Sequence, residues 1–141
     1  MAGAPPLHEG AQRLTDIWSL TLPFPMARRI DQGSLVYWHS PRRVTFWLNA
    51  YDGRGGTDRD TLDGIKSDRS PNAYDEIEET SPGVLRYAYR LVEQGGGGVV
   101  ASLNGFAIAP DGGFIQVGAY FDDESDLDEA LALWRSFRTS L

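Results

Sequence analysis

The sequence predicts an α+β fold: an antiparallel sheet of about six strands with two helices, in a single domain. Three observations carry that reading. Segments 44–51 and 84–92 alternate apolar and polar residues with period two, as half-buried strands do. The connections between strand-like segments are short and rich in Pro, Gly and Asp, as hairpins require. One strong helical stripe closes the chain, after all the strands, so helices and strands do not alternate as in a doubly wound sheet.

Residues 1–13 read as a loose arm, because turn-forming residues dominate and no periodicity is present. The single α+β domain then runs from 14 to 141. Its first strand is placed at 14–22, with Trp18, Leu20 and Leu22 on one face and Pro23 and Pro25 ending it. Strands at 34–39 and 44–51 follow, joined through Ser40-Pro41-Arg42-Arg43. In the latter, Val44, Phe46, Leu48 and Ala50 share a face, opposite Thr45, Trp47 and Asn49. Thr57 or Asp58 caps a helix running to about Arg69, with Leu62 and Ile65 pointing inward. A polar strand at 73–79 and a stronger one at 84–92 come next; the latter sets Leu85, Tyr87, Tyr89 and Leu91 against Arg86 and Arg90. A glycine turn at 95–98 leads to strands at 99–109 and 114–121, paired around Pro110-Asp111-Gly112-Gly113. The last helix takes Ser125 as N-cap and buries Leu127, Ala130, Leu131, Trp134 and Phe137.

A chain of 141 residues can bury a core without metal or disulfide staples. It has no cysteine, which excludes disulfides, thiolate catalysis and zinc–thiolate sites. The formal charge of −7 argues against nucleic acid as a partner, since phosphate binding leans on a cationic face. No apolar run approaches the roughly 20 residues of a membrane helix. Pro5, Pro6, Glu9 and Gly10 interrupt the N-terminal segment where a signal peptide is continuously apolar. The expectation is a cytoplasmic protein that engages neither membrane nor nucleic acid.

Two stretches carry a resemblance. Trp18-Ser19-Leu20-Thr21-Leu22-Pro23, followed by Gly33-Ser34-Leu35-Val36-Tyr37-Trp38, resembles the opening of Mog1/PsbP-like domains. Ile115-Gln116-Val117-Gly118-Ala119-Tyr120-Phe121-Asp122, leading into a helix that ends Leu133-Trp134-Arg135-Ser136-Phe137, is similar to their terminal strand–helix pair. The resemblance implies a Mog1/PsbP-like α/β sandwich and a binding or accessory role, as in chaperones, adaptors or immunity proteins for bacterial toxins. It carries over no catalytic residue, and the chain departs from the photosynthetic branch in having no targeting peptide.

Chemical constellations are sparse. His8 lies in the arm and His39 ends a strand; an adjacent Ser40 does not make a catalytic triad, which needs a base oriented across space. The acidic run Asp122, Asp123, Glu124, Asp126, Asp128 and Glu129 reads as helix capping and solvation rather than as a converging set of cation ligands. Asp58, Asp60, Asp63 and Gly64 faintly echo a calcium loop, with the glycine misplaced and the closing glutamate missing. The glycines at 95–98 lead into a strand rather than into the helix start a phosphate loop needs. No cofactor or metal is therefore expected.

Two surfaces remain as candidates for a protein partner. Trp38 and Trp47, on the face opposite their strands' aliphatic stripe and near Arg42 and Arg43 in sequence, have the composition of an interface hot spot. A helix covering that face is the alternative. Asp75, Glu76, Glu78 and Glu79 form an acidic strand that suits either a protected sheet edge or attraction to a basic toxin. The expected function is non-enzymatic binding, as an immunity protein for a cognate bacterial toxin. A secretion chaperone, a small-molecule-binding domain or a carboxylate-dependent enzyme are the alternatives, and the oligomeric state stays open.

Overall fold

Alternation along the strands sorts their side chains onto two faces, and what covers each face decides the architecture. The computed structural model describes residues 5–95 and 98–141. Ten strands are formed among the described residues: β1 (Ala11–Arg13), β2 (Trp18–Thr21), β3 (Ala27–Asp31), β4 (Ser34–His39), β5 (Val44–Tyr51), β6 (Tyr74–Ser81), β7 (Val84–Gly95), β8 (Gly98–Ile108), β9 (Phe114–Phe121) and β10 (Arg138–Thr139). Helix α1 (Asp58–Asp68) lies between β5 and β6, and α2 (Leu127–Arg135) follows β9. Seven strands make one sheet in the order β3-β4-β5-β9-β8-β7-β6, and β1-β2-β10 make a small second sheet. Every pairing is antiparallel, so the fold is mixed α+β as expected.

The larger core lies between the seven-stranded sheet on one side and α2 with the small sheet on the other. Val44, Phe46 and Leu48 of β5 meet Phe121, Ala119 and Val117 of β9 across the ladder. They pack with Trp18 and Leu20 of β2 and with Ala130, Leu133 and Trp134 of α2. Trp134 is fully buried and its indole N–H donates to the Phe106 carbonyl at 3.0 Å. This close approach requires Gly105: a β-carbon there would stand 2.6 Å from Trp134 Cδ1. The opposite face holds a smaller cluster, in which Leu62 and Ile65 of α1 cover Leu85, Tyr87, Tyr89, Phe106 and Ile108. Thr57 and Asp60 close a capping box at the start of α1, each side chain bonding the other's backbone N–H.

Several expectations are corrected. The sheet has seven strands rather than about six, and three more strands lie beside it. Residues expected in a loose arm join the sheets: β1 pairs with β2, and His8 bridges Met26. β3 was not expected, because Arg28 and Arg29 break its apolar pattern. It is an edge strand, where charge is favoured, and a two-residue turn with positive φ at Gln32 and Gly33 joins it to β4. Ser125 is not the cap of the last helix. Asp123 accepts from the Ser125 N–H at 2.9 Å, a 3-10 turn spans Glu124–Asp126, and α2 begins at Leu127. The buried stripe is centred on Ala130, Leu133 and Trp134; Phe137 is buried just beyond the helix end, and Leu127 and Leu131 are partly buried beside it. Arg86 and Arg90, expected simply opposite the aromatic face of β7, are themselves buried. The tip of the glycine turn, residues 96 and 97, lies outside the described residues.

Candidate binding surface

The two faces of the sheet are not equally covered. Small residues and aliphatics fill the face toward α2, whereas α1 reaches only the end of the other face where β7, β8 and the start of β9 lie. On that second face β4, β5 and most of β9 carry Trp38, Thr45, Trp47, Asn49, Gln116, Gly118 and Tyr120, all half-buried. The register explains the grouping. Trp38 stands opposite Thr45, Trp47 stands between Val36 and Gly118, and Asn49 stands opposite Gln116. Pairs directly opposite on adjacent strands share a face.

Gly118 leaves room for a neighbouring aromatic ring. A β-carbon there would come within 3.2 Å of the Tyr120 ring. Burial raises the Tyr120 phenol above its ordinary value, and the Glu93 carboxylate and Tyr89 add to the effect. The guanidinium of Arg29 stacks over Trp38 at 4.7 Å from the ring centroid, so the cation meeting that indole comes from the edge strand β3. Arg42 and Arg43 do other work. Arg42 lies over Phe24 at 4.8 Å and 3.8 Å from both Asp126 and Glu129, and Arg43 reaches Asp122 at 3.3 Å. Both arginines thus fasten the β4–β5 connection to the segment leading into α2. Sequence proximity alone had grouped them with the tryptophans.

The acidic strand is remote from this patch. β4 and β6 are separated by β5, β9, β8 and β7, which at about 4.8 Å per strand places them roughly 24 Å apart. Three of its four expected partner-binding carboxylates are engaged within the chain. Glu76 pairs with Arg69 at 3.0 Å and accepts the hydroxyl of Tyr87; Glu78 meets Arg59 at 3.2 Å and Lys66 at 3.3 Å. Glu79 takes a bidentate pair of bonds from Arg135, Nε to Oε1 at 3.1 Å and Nη2 to Oε2 at 2.7 Å. Those arginine bonds hold the Glu79 carboxyl below its usual value. Asp75, on the irregularity between Tyr74 and Ile77, is exposed with φ of 51°. The ordered role of β6 is an edge strand whose charges tie α1 and α2 to the sheet.

Two other polar features that the sequence singles out or the surface offers are tied into the fold. His39 Nδ1 accepts from the Arg42 N–H at 3.2 Å and its ring packs on Phe24. A cavity of about 740 Å³ beside α1 is lined by Asp52, Arg54, Asp60, Thr61 and Phe114. There Asp60 caps the helix and the Thr61 hydroxyl donates to the Gly112 carbonyl at 2.7 Å. Among the described residues no group of three or more His, Asp or Glu is placed to hold a metal ion. No described helix is long and apolar enough to cross a membrane.

Among the described residues, fold and surface define an antiparallel α+β domain in which α1 covers one end of a sheet face and a half-buried patch of aromatic and amide side chains lies beyond it. No protein-family model matches the chain, and comparison with curated proteins finds no match.

Proposed function

We propose that the chain is a non-enzymatic protein-binding domain of Mog1/PsbP-like type, acting in the cytoplasm as an immunity protein that neutralises a cognate bacterial toxin. The observation that carries this reading is the half-covered sheet face bearing Trp38, Trp47 and Tyr120. Flat aromatic side chains held by a rigid sheet bury much area on association at little entropic expense. Asn49, Gln116 and Thr45 around them supply the hydrogen bonds of a rim. Affinity is assigned to this face, and the acidic strand contributes steering through the net charge of −7.

The test is protection of growth. The chain is co-expressed with a toxin encoded beside its gene; protection and a co-purifying complex are expected, both lost in Trp47→Ala with the circular dichroism spectrum unchanged. A toxin that kills equally with and without the chain overturns the reading.

A secretion chaperone is the second reading, favoured by one feature. A groove of about 350 Å³ between β6 and α2 sets Ile77, Leu103, Leu127 and Leu131 beside Asp75, Glu76 and Arg90, a mixed lining that suits an amphipathic cargo helix. Co-purification that survives Trp47→Ala and fails on Leu131→Asp supports it instead.

A further inference from the structure

The end of the sheet where β6 turns into β7 carries a feature that protein binding through the tryptophan face does not use. Arg86, Arg135 and Arg138 gather around a cavity of about 520 Å³ together with Glu79, Ser81 and Thr139. In a chain of net charge −7, three guanidiniums against one carboxylate reverse the local sign.

Arg86 forms the inner wall and is only 7% exposed. Its Nη1 donates to Ser81 Oγ at 2.6 Å and its Nη2 to the Phe137 carbonyl at 2.8 Å. Its Nε has no hydrogen-bond partner among the described residues. Arg86 is thus a buried cation with fewer hydrogen bonds than its guanidinium can make. Glu79 bonds Arg135 instead, through both its oxygens. Arg138 is exposed at the mouth and joins no ion pair among the described residues. Burial lowers the Arg86 guanidinium below its ordinary value; Glu79 opposes this, and the like charges of Arg138 and Arg135 add to it.

We propose that this cavity binds a tetrahedral oxyanion, either inorganic phosphate or a phosphomonoester. The charge decides the class. Three arginines less one glutamate leave an excess of two positive charges, which a phosphate of charge about −1.5 to −2 matches and a carboxylate does not. The donors fit as well. Guanidinium forks pair with phosphate oxygens, and Ser81 Oγ accepts from Arg86, leaving its own hydrogen to donate.

Calorimetric titration with sodium phosphate and with glycerol phosphate, against sodium chloride at matched ionic strength, tests the proposal. Saturable binding of both phosphates, absent with chloride, is expected. Equal affinities identify the free anion, and tighter glycerol phosphate identifies a monoester. Arg138→Gln, an exposed position that leaves the fold intact, is expected to weaken binding about tenfold, the loss of one charge-assisted contact. Ser81→Ala weakens it by a smaller factor. Failure of either phosphate to saturate, or an Arg138→Gln protein that binds as tightly as wild type, overturns the assignment.

Discussion

Gly105→Ala is the most informative perturbation of the fold, because one methyl group probes the packing of α2 on the sheet. The added carbon would lie 2.6 Å from Trp134 Cδ1, and 3.1 Å from both Trp134 Cγ and Val117 Cγ1. Carbon atoms pack best about 3.5–4.0 Å apart, so the indole must retreat by roughly 1 Å. Overpacking of that kind destabilises by about 1–3 kcal/mol. Retreat also lengthens the 3.0 Å bond from the indole to the Phe106 carbonyl, a further loss of about 1 kcal/mol. Alanine recovers about 0.5 kcal/mol by restricting the unfolded chain. The net expectation is a destabilisation of about 2.5 kcal/mol, or roughly 8 °C in melting temperature for a domain of this size. Urea unfolding followed by tryptophan fluorescence measures it. In a Trp134→Leu background the same change should have an effect below about 1 kcal/mol, since the obstructing ring is gone. Equal stability of wild type and Gly105→Ala, or an undiminished effect in the leucine background, refutes the packing argument.

Three other outcomes follow from the ion pairs and caps. Arg135 holds Glu79, and Arg90 holds Glu124, below the ordinary glutamate value of 4.5, each mainly through a side-chain hydrogen bond. Because these folded-state values are depressed, the stabilisation is complete above the unfolded value and is lost as pH falls through the folded ones. Glu79→Gln and Glu124→Gln should therefore be less stable than wild type near neutrality, by under about 1 kcal/mol each at these solvent-screened sites, and converge with it in acid urea titrations. Thr57→Ala, which removes the capping-box hydroxyl of α1, should lower stability by about 1 kcal/mol in the same denaturation assay. The Tyr87 hydroxyl is pushed above its ordinary 10.0, first by burial and then by its bond to Glu76. Tyr87→Phe should accordingly leave the absorbance change near pH 10 undiminished, and wild type should lose stability relative to it at higher pH.

The strands that alternate cleanly, β4, β5 and β9, have the bounds that period two assigns, and α1 starts at the cap its Thr–Asp pair marks. Strands whose pattern is broken by charge were harder to see: β3 owes its place to pairing with β4, a tertiary cause that local alternation does not record. The start of α2 was misplaced by one residue, because Asp123 caps a 3-10 turn that precedes the helix and takes Ser125 into it. On the binding surface, parity alone located Trp38 and Trp47 on one face. It could not reveal that α1 stops short of them, nor that Glu76, Glu78 and Glu79 are drawn into ion pairs by residues distant in sequence. The arginine cavity joins Ser81 to Arg138, from strands of different sheets, and has no signature in sequence spacing.

The affinity of the proposed toxin partner for wild type, Trp38→Ala, Trp47→Ala and the triple change Glu76→Gln, Glu78→Gln, Glu79→Gln bears most directly on the central proposal. Each tryptophan truncation should weaken the complex roughly thirtyfold or more through faster dissociation, as removal of a buried aromatic anchor does. The glutamine triple should alter chiefly the association rate. Tryptophan variants that bind within about twofold of wild type, with the triple abolishing binding, would contradict it and return the interface to the acidic strand.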